Sequence, residues 1–320
     1  MGIVGGRSRQ AERMLCLAGG SWSYERASHY LAELSGLHVC ANTVRSVCHA
    51  EAACIERWQS QPIAGEKHRK TPGNDEFETD GTCVNTTEGW KEMRVGVFVK
   101  RPAGEPATPD EWATRKLPRP ASRIAFAAIE DHVSFAARWQ PTAARLGIRP
   151  NAALAVYADG ARWIWDQVNY HFAFAKGTLD VYHALEHVSA TGKALYGEGT
   201  VETTRWQDEA RETLLADGWP GIERVIHTAG ANAVRASQRT ALTQLKEYLQ
   251  PHAEHLNYAE RLAQGRPIGS GLIEGACKNY LGRRMKQTGA RWLIPNANRM
   301  ATVGSLIYAD QWGDYWANPN

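Results

Sequence analysis

Small and apolar residues recur at helical spacing through residues 7–60, as at Ala27 and Leu31, and Gly36 is placed to end a helix. After a short turn, we expect Asn42 to cap the next helix. Helix, glycine-containing turn and helix of this size are typical of a helix-turn-helix unit. A plain helical hairpin that packs on the next domain fits the same pattern.

Alternating apolar and polar positions follow a polar stretch, residues 61–75, which we interpret as a linker. The alternation predicts three hairpin-like strands. They cover residues 76–84, 91–101 and 122–129. Asp131 is then expected to open a helix that runs to about Leu146.

A short and almost wholly apolar run, "AALAVYADG" at 152–160, is typical of a strand buried on both faces. The segment "WIWDQVNYHFAFA", residues 163–175, is expected to contain a further strand. Beyond Thr178 the pattern is almost entirely helical. Strands, a helix, a buried strand and then helices together predict an α/β fold.

Composition and cysteine usage narrow the class of protein. The chain has 320 residues and a net charge of +3, and it lacks the ~18–20 uninterrupted apolar residues of a membrane-spanning helix. We therefore expect a soluble, intracellular protein without a membrane partner. Its six cysteines form no CxxC pair, so we expect reduced thiols that are mostly small core residues.

Basic residues concentrate late in the chain. Between Gly265 and Met300 there are seven Lys or Arg residues against Glu274 alone. This imbalance predicts a surface that faces phosphates. The alternative, a solvated basic face, would usually interleave acids.

Two Asp-Gly pairs occupy equivalent places in the predicted sheet. Asp80 lies late in the first strand, and Asp159 lies at the end of the buried strand. Alone, each pair is typical of a turn. An unpaired carboxylate at the end of a buried strand costs several kcal/mol, however, so it needs a cation or a capped helix nearby. Two such places together predict a shared metal site.

Glu274 would complete a cage of three carboxylates if its helix lies beside the two strand ends. Mg²⁺ is held by few carboxylates together with phosphate oxygens of a substrate. Two ions about 4 Å apart activate an attacking oxygen and stabilise the leaving one in displacement at phosphorus. The surrounding cations are then predicted to hold DNA phosphates. They are Lys278, Arg283, Arg284, Lys286 and Arg291.

Four blocks in order carry a resemblance to a known family. They are "ETDGTCV…GWKEMRVGVFVK", "YADGARWIWDQVNYHF", "LDVYHALEHV" and "PIGSGLIEGACK…RRMKQTGARW". From about residue 20 to 316 the chain resembles the DDE transposases of bacterial insertion sequences, specifically the ISKra group. The resemblance implies an RNase H-like mixed sheet flanked by helices. It also implies that Asp80, Asp159 and Glu274 bind two Mg²⁺ ions, with Mn²⁺ able to substitute, for DNA cleavage and strand transfer.

The resemblance also implies a division into domains. Residues 1–60 form a helix-turn-helix-like region, 61–75 a linker and 76–189 the first part of the RNase H-like core. Residues 190–265 form an all-helical insertion, and 266–320 supply the C-terminal helices of the core with the catalytic glutamate.

The block "LDVYH" looks like the Cys/Asp-x-x-His signature of related transposases, here Asp180 and His183. At this spacing the two side chains share a helix face, so His183 could position a phosphate or a water. The alternative is a helix-capping Asp180 with a packed His183. Trp163 is expected either to stack on a base or to pack beside the active site.

The function that the resemblance implies is transposition in the bacterial cytoplasm, in association with the nucleoid. Its partners are element ends and target DNA, and a homo-oligomer assembles on that DNA. Members of the group commonly carry a longer N-terminal part, so we expect either a truncated product or recognition of the ends by another region. The alternatives are a truncated, non-catalytic DNA-binding derivative or repressor, and a metal-dependent nuclease without strand transfer.

Overall fold

The computed structural model describes residues 3–4, 7–150 and 153–317. The strands are β1 (Ile3–Val4), β2 (Arg7–Ser8), β3 (Asn74–Thr86), β4 (Gly89–Arg101), β5 (Ser122–Ala128), β6 (Ala155–Ala158) and β7 (Lys176–Leu179). The first two pair with each other, and the other five form one mixed sheet in the order β5-β4-β3-β6-β7. β4 and β5 are antiparallel, whereas β6 and β7 are parallel.

Helices make up most of the remaining described chain. They are α1 (Arg9–Ser21), α2 (Tyr24–Ser35), α3 (Ala41–Gln59), α4 (Glu66–Lys70), α5 (His132–Ala136), α6 (Trp139–Arg145), α7 (Arg162–His171), α8 (Val181–Tyr196), α9 (Val201–Ala231), α10 (Ala236–Leu249), α11 (Tyr258–Ala263), α12 (Gly271–Ala276), α13 (Arg283–Met285), α14 (Ile294–Tyr308) and α15 (Trp312–Ala317). The prediction of an α/β fold with a mixed sheet flanked by helices is confirmed. Its RNase H-like character stays a prediction.

Two compact units divide the chain. The first covers Met1–Lys100, Pro120–Ala152 and Gly271–Asn320, as far as the structure describes them, and the second covers Arg101–Arg119 and Ala153–Ser270. The predicted domain boundaries stay a prediction. Within the described residues, no helix is long and apolar enough to cross a membrane.

The core of the first unit forms around β4, which is buried on both faces. Val95, Val97 and Val99 are 0% exposed and belong to the same apolar cluster as buried residues of α1, α3 and α14. Because successive side chains of a strand point to opposite faces, Phe98 lies on the other side, where it stacks on Phe77 at 4.4 Å. The three predicted strands are confirmed as β3, β4 and β5, although β4 is buried on both faces rather than on one.

The helices α1, α2 and α3 pack on one another at the N-terminal end of the first unit. The Ser23 side chain caps α2, and Gly36 ends it at φ 66°, a left-handed conformation that glycine adopts without strain. The prediction that Gly36 stops this helix is confirmed. The prediction for Asn42 is wrong, because the N-cap position of α3 is Cys40, whose side chain makes no capping hydrogen bond, and Asn42 lies inside the first turn.

The segment interpreted as a linker, residues 61–75, is ordered within the first unit. It forms a 3₁₀ turn at Pro62–Gly65 and then α4. The imidazole of His68 is fully buried and lies between the Ser122 hydroxyl at 3.1 Å and an Asp75 carboxylate oxygen at 3.2 Å. The burial of His68 could not be predicted from the polar sequence around it, because Ser122 is distant in sequence and Asp75 belongs to no recognisable motif.

The second unit contains the parallel pair β6 and β7 with the helices α7 to α11. All four residues of β6 are buried, which confirms the predicted doubly buried strand. Arg261, 4% exposed, donates from Nε to the Thr178 hydroxyl at 3.1 Å and from Nη2 to the Lys176 carbonyl at 2.9 Å. This buried guanidinium fixes α11 against β7.

The strand predicted within residues 163–175 is wrong, since most of that segment is α7. Its buried residues Ile164, Trp165 and Val168 have helical rather than alternating spacing. The strand follows later, as β7. The helical pattern predicted beyond Thr178 is confirmed, and α9 bends at Gly218, whose φ of 60° and close approach to the Leu256 carbonyl exclude a side chain.

Candidate active site

Acidic side chains alternate along β3 in the first unit. Glu76 and Glu78 are 0% and 1% exposed, and Asp80 is half-buried. Residues two apart in a strand point to the same face, so the three carboxyl groups line one side of β3. Asp80 lies inside the strand, which continues to Thr86, so its Asp-Gly pair is not a turn.

Glu78 joins this strand to the helix that carries Glu274. Its Oε2 accepts a hydrogen bond from the backbone N–H of Ile273 at 2.8 Å. Ile273 is in the first turn of α12, where helix N–H groups have no partner within the helix. The buried carboxylate therefore fixes the start of α12 against β3.

Asp80 and Glu274 act on the same thiol, that of Cys277. The Cys277 Sγ donates to Asp80 Oδ2 at 3.9 Å, and Asp80 Oδ1 accepts from the Gly81 N–H at 2.6 Å. Burial, followed by the negative charge of Asp80 and a smaller contribution from Glu274, raises the pKa of Cys277 to about 12. Two of the three predicted acids thus lie near one another within the first unit.

Glu274 itself is exposed and forms a salt bridge with Lys278, one helical turn later. Cys277 begins a π-helical turn, Cys277–Gly282, that links α12 to α13. Such π-turns are rare and occur frequently at functional sites. No group of three or more His, Cys, Asp or Glu side chains that could hold a metal ion occurs in the part of the chain that the structure describes.

Asp159 belongs to the second unit and directly follows β6, as predicted. Its Oδ1 accepts from the Ala161 N–H at 2.9 Å, and its carbonyl accepts from Trp165 Nε1 at 2.7 Å. Burial and then the charge of Asp159 raise the pKa of Tyr248 to about 12. The Tyr248 ring packs so closely on Gly160 that a side chain there would collide with it, which explains the glycine.

Asp180 is 3% exposed and caps α8. One carboxylate oxygen accepts from the His183 N–H at 2.9 Å and lies 3.1 Å from His183 Nδ1. The other accepts from the Ser270 hydroxyl at 2.8 Å and from the Ser270 N–H. The capping role that we weighed for Asp180 is therefore present.

His183, in contrast, is not packed, because about half of its side chain is exposed. Burial lowers its pKa, but the hydrogen bond and charge of Asp180, with smaller effects of Asp159 and Glu186, outweigh burial, so the pKa is raised. The imidazole thus lies within electrostatic reach of Asp159 and is available to a ligand. The role predicted for Trp163, which is half-buried in α7, stays a prediction.

The five cations predicted to hold phosphates differ in their surroundings. Arg283, Lys286 and Arg291 are exposed, and Lys278 is paired with Glu274. Arg284 is buried: its Nε donates to the Gly19 carbonyl at 2.7 Å and its guanidinium lies over two aromatic rings. Its position is that of a structural residue rather than a surface contact.

The prediction of reduced thiols that are mostly core residues is confirmed. All six thiols are free. Cys16 and Cys48 are buried, Cys54 and Cys277 are partly buried against the same apolar core, and Cys40 and Cys83 are exposed. Glu78 was missed among the acids, although its place two residues before Asp80 in an alternating strand was a usable signal.

The chain matches no family model, and no curated protein matches it significantly. The geometry of the two units is therefore the physical basis for assigning a function.

Removing the charge of Asp80 tests the arrangement around Cys277. We expect Asp80→Asn to lower the pKa of this thiol and to increase its alkylation by iodoacetamide severalfold at mildly alkaline pH, because the thiolate is the reactive form. Labelling of each cysteine is measured by mass spectrometry, with the exposed Cys83 as internal reference. The control is Asp310→Asn, which removes an exposed acid of the same unit. Equal Cys277 labelling in both variants would contradict the arrangement.

The raised pKa of His183 predicts a pH-dependent contribution to stability. The ion pair with Asp180 is fully formed below the unfolded-state pKa of about 6.5 and is lost as pH rises through the higher folded-state value. His183→Gln should therefore lower the melting temperature at about pH 5.5 and lower it much less at about pH 8.5. At the lower pH the loss in free energy of unfolding should not exceed about 1 kcal/mol, because the pair is half-exposed. The exposed His38→Gln is the matched control. A difference that grows with pH would refute the assignment.

Proposed function

We propose that this protein is a transposase of the DDE type, which cuts DNA at the ends of a bacterial insertion sequence and joins them to target DNA. The observation that carries the proposal is the buried hydrogen bond between Glu78 and the first turn of α12. It sets Glu274 on a helix beside the strand of Asp80, and a run of cations follows directly. The four sequence blocks that resemble the ISKra group supply the same residues.

In this proposal Asp80, Asp159 and Glu274 hold Mg²⁺, with Mn²⁺ able to substitute. Bound Mg²⁺ would supply activation of the attacking oxygen and stabilisation of the leaving one. Asp80 and Glu274 belong to the first unit and Asp159 to the second. Glu274 must also exchange its salt bridge with Lys278 for the metal, which frees the lysine for a DNA phosphate.

The residues of the chain divide the remaining work. Exposed Arg283, Lys286 and Arg291 fix the DNA backbone without reading sequence. His183, with its raised pKa, is suited to hold a proton near Asp159. The helices α1 to α3 are candidates for recognition of the element ends, and assembly of several copies on DNA would place two ends together.

Two other functions remain outcomes of the test. The pairing of Glu274 with Lys278, together with the missing three-ligand group among the described residues, favours a non-catalytic DNA-binding derivative or repressor. A metal-dependent nuclease on the same residues would cut without joining.

Strand cleavage and joining of a labelled duplex that bears the element's own end test the proposal. We expect wild-type protein to give joined product with Mg²⁺ and none with EDTA, and Glu274→Gln to lose cleavage by at least about a hundredfold while it still binds DNA, because the phosphate contacts are separate residues.

The matched control is Glu66→Gln, since Glu66 is partly exposed and also pairs with a lysine four residues later, Lys70. Equal cleavage by Glu274→Gln and Glu66→Gln would remove Glu274 from the active site. Binding without any cut product would establish the non-catalytic function, and nicking without joining would establish the nuclease.

A further inference from the structure

A cavity of about 840 Å³ lies in the first unit, between the turn that joins α1 to α2 and the chain that follows Glu274. Aromatic and basic side chains share its walls, and neither Asp80 nor Glu274 lines it. Its volume is within the range of about 300–1,000 Å³ that is typical of small-molecule sites.

Two glycines fix the shape of this cavity. A Cβ on Gly20 would lie 2.9 Å from the Ile307 Cδ1 atom, and a Cβ on Gly304 would lie 2.8 Å from the Tyr280 ring. Both contacts are closer than packed carbon atoms tolerate, so a side chain at either position would force its neighbour to shift. Gly20 and Gly304 are therefore tightly packed positions in the wall of the cavity.

Trp22 supplies an exposed aromatic face to the cavity. The indole is 37% exposed, and Tyr30 packs against it edge-on with ring centroids 4.9 Å apart. Two further rings line the cavity, where Tyr308 stacks on the buried Tyr280 with ring centroids 5.6 Å apart. An indole already held by a neighbour loses little freedom when a flat ligand stacks on it, and nucleobases are the flat ligands that aromatic side chains bind in this way.

Three exposed cations line the cavity. Arg26, Arg283 and Lys286 line it, and within the described chain none of the three forms a salt bridge. Beside them, the guanidinium of Arg284 is buried between the rings of Tyr24 at 4.7 Å and Trp292 at 4.8 Å. The three exposed cations, Arg26, Arg283 and Lys286, favour binding of an anion.

Polar groups complete the walls. The side chains of Asn279, Gln287 and Thr288 line the cavity together with the cations. Amides and hydroxyls of this kind can donate to and accept from the edge of a base. A base inside a duplex exposes neither its face nor its pairing edge, so only an unpaired base can use both the aromatic and the polar walls.

We propose that this cavity binds one unpaired nucleotide of a DNA strand, with its base against Trp22 and its flanking phosphates on Arg26, Arg283 and Lys286. That the nucleic acid is DNA rests on the proposed function. The nucleotide site joins the N-terminal helices to the chain that follows the glutamate helix, and it gives α1 and α2 a DNA contact that does not depend on helix-turn-helix recognition.

Binding of a fluorescein-labelled oligothymidine of about ten nucleotides, followed by anisotropy at several salt concentrations, tests the site. Trp22→Ala should weaken binding about tenfold or more, since loss of one stacked base has that size. Trp90→Ala is the matched control, because Trp90 is an exposed tryptophan of the same unit outside the cavity. Trp22→Phe keeps an aromatic face and should retain most of the affinity, which separates stacking from misfolding.

A second experiment tests the phosphate contacts with Arg26→Gln. This variant should reduce the slope of log affinity against log salt concentration by about 0.7, the value for one phosphate contact on a single strand. Arg57→Gln, an exposed arginine on α3 outside the cavity, should leave the slope unchanged. A third arm uses oligonucleotides with one abasic position, which is moved along the strand. Wild-type protein should bind such a strand more weakly than the intact strand. Trp22→Ala should bind the abasic and the intact strand equally.

Equal affinities of Trp22→Ala and Trp90→Ala would overturn the proposal, as would equal salt slopes of Arg26→Gln and Arg57→Gln. Tighter binding of oligouridine than of oligothymidine would overturn the assignment to DNA. Cleavage and joining of an element end by a protein that fails these tests would leave the transposase proposal standing without the nucleotide site. Single-strand binding that passes them, in a protein that never cuts, would leave the nucleotide site and remove the transposase.

Discussion

The hydrogen bond from the Ile273 N–H to the buried Glu78 carboxylate is the contact on which the candidate site depends. A carboxylate that is 1% exposed is costly unless polar partners satisfy it, and the free N–H groups at the start of a helix are suitable partners. The contact sets α12 on β3, and the pleat of the strand then brings Asp80 to the same face. Both Asp80 and Glu274 raise the pKa of Cys277, which is consistent with the two acids lying near this thiol. The π-helical turn and the buried Arg284 follow along the same stretch of chain.

Charge is separated in the first unit. The acids lie on β3 and at the start of α12, whereas the cations begin one turn later and continue to Arg291. Asp80 and Glu274 would repel each other and the DNA unless cations come between them, which is the electrostatic reason for a metal in the proposed function. Glu274 meets the same need through Lys278 in the structure. In the second unit Asp180 is satisfied by capping α8 and by Ser270, and it also holds the imidazole of His183.

Much of this could be predicted from residue patterns, and the exceptions have physical causes. The alternation in β4 and the apolar run in β6 predicted both strands, because the buried positions of each strand are apolar in the sequence. The prediction of a strand at 163–175 was wrong because α7 is rich in aromatic residues, which are also typical of strands. Glu78 is invisible as a cap in the sequence, since its partner lies 195 residues away. Arg284 looked like its exposed neighbours, and only packing against Tyr24 and Trp292 distinguishes it.

The central claim is that Asp80, Asp159 and Glu274 bind divalent metal when DNA is present. The most direct measurement is anomalous X-ray scattering from Mn²⁺ in crystals of the protein with its element-end DNA. The account predicts Mn²⁺ about 2.0–2.3 Å from carboxylate oxygens of these residues, within the range for hard cations, with Lys278 released to a phosphate. Mn²⁺ bound elsewhere, or Glu274 still paired with Lys278 in that complex, would contradict it.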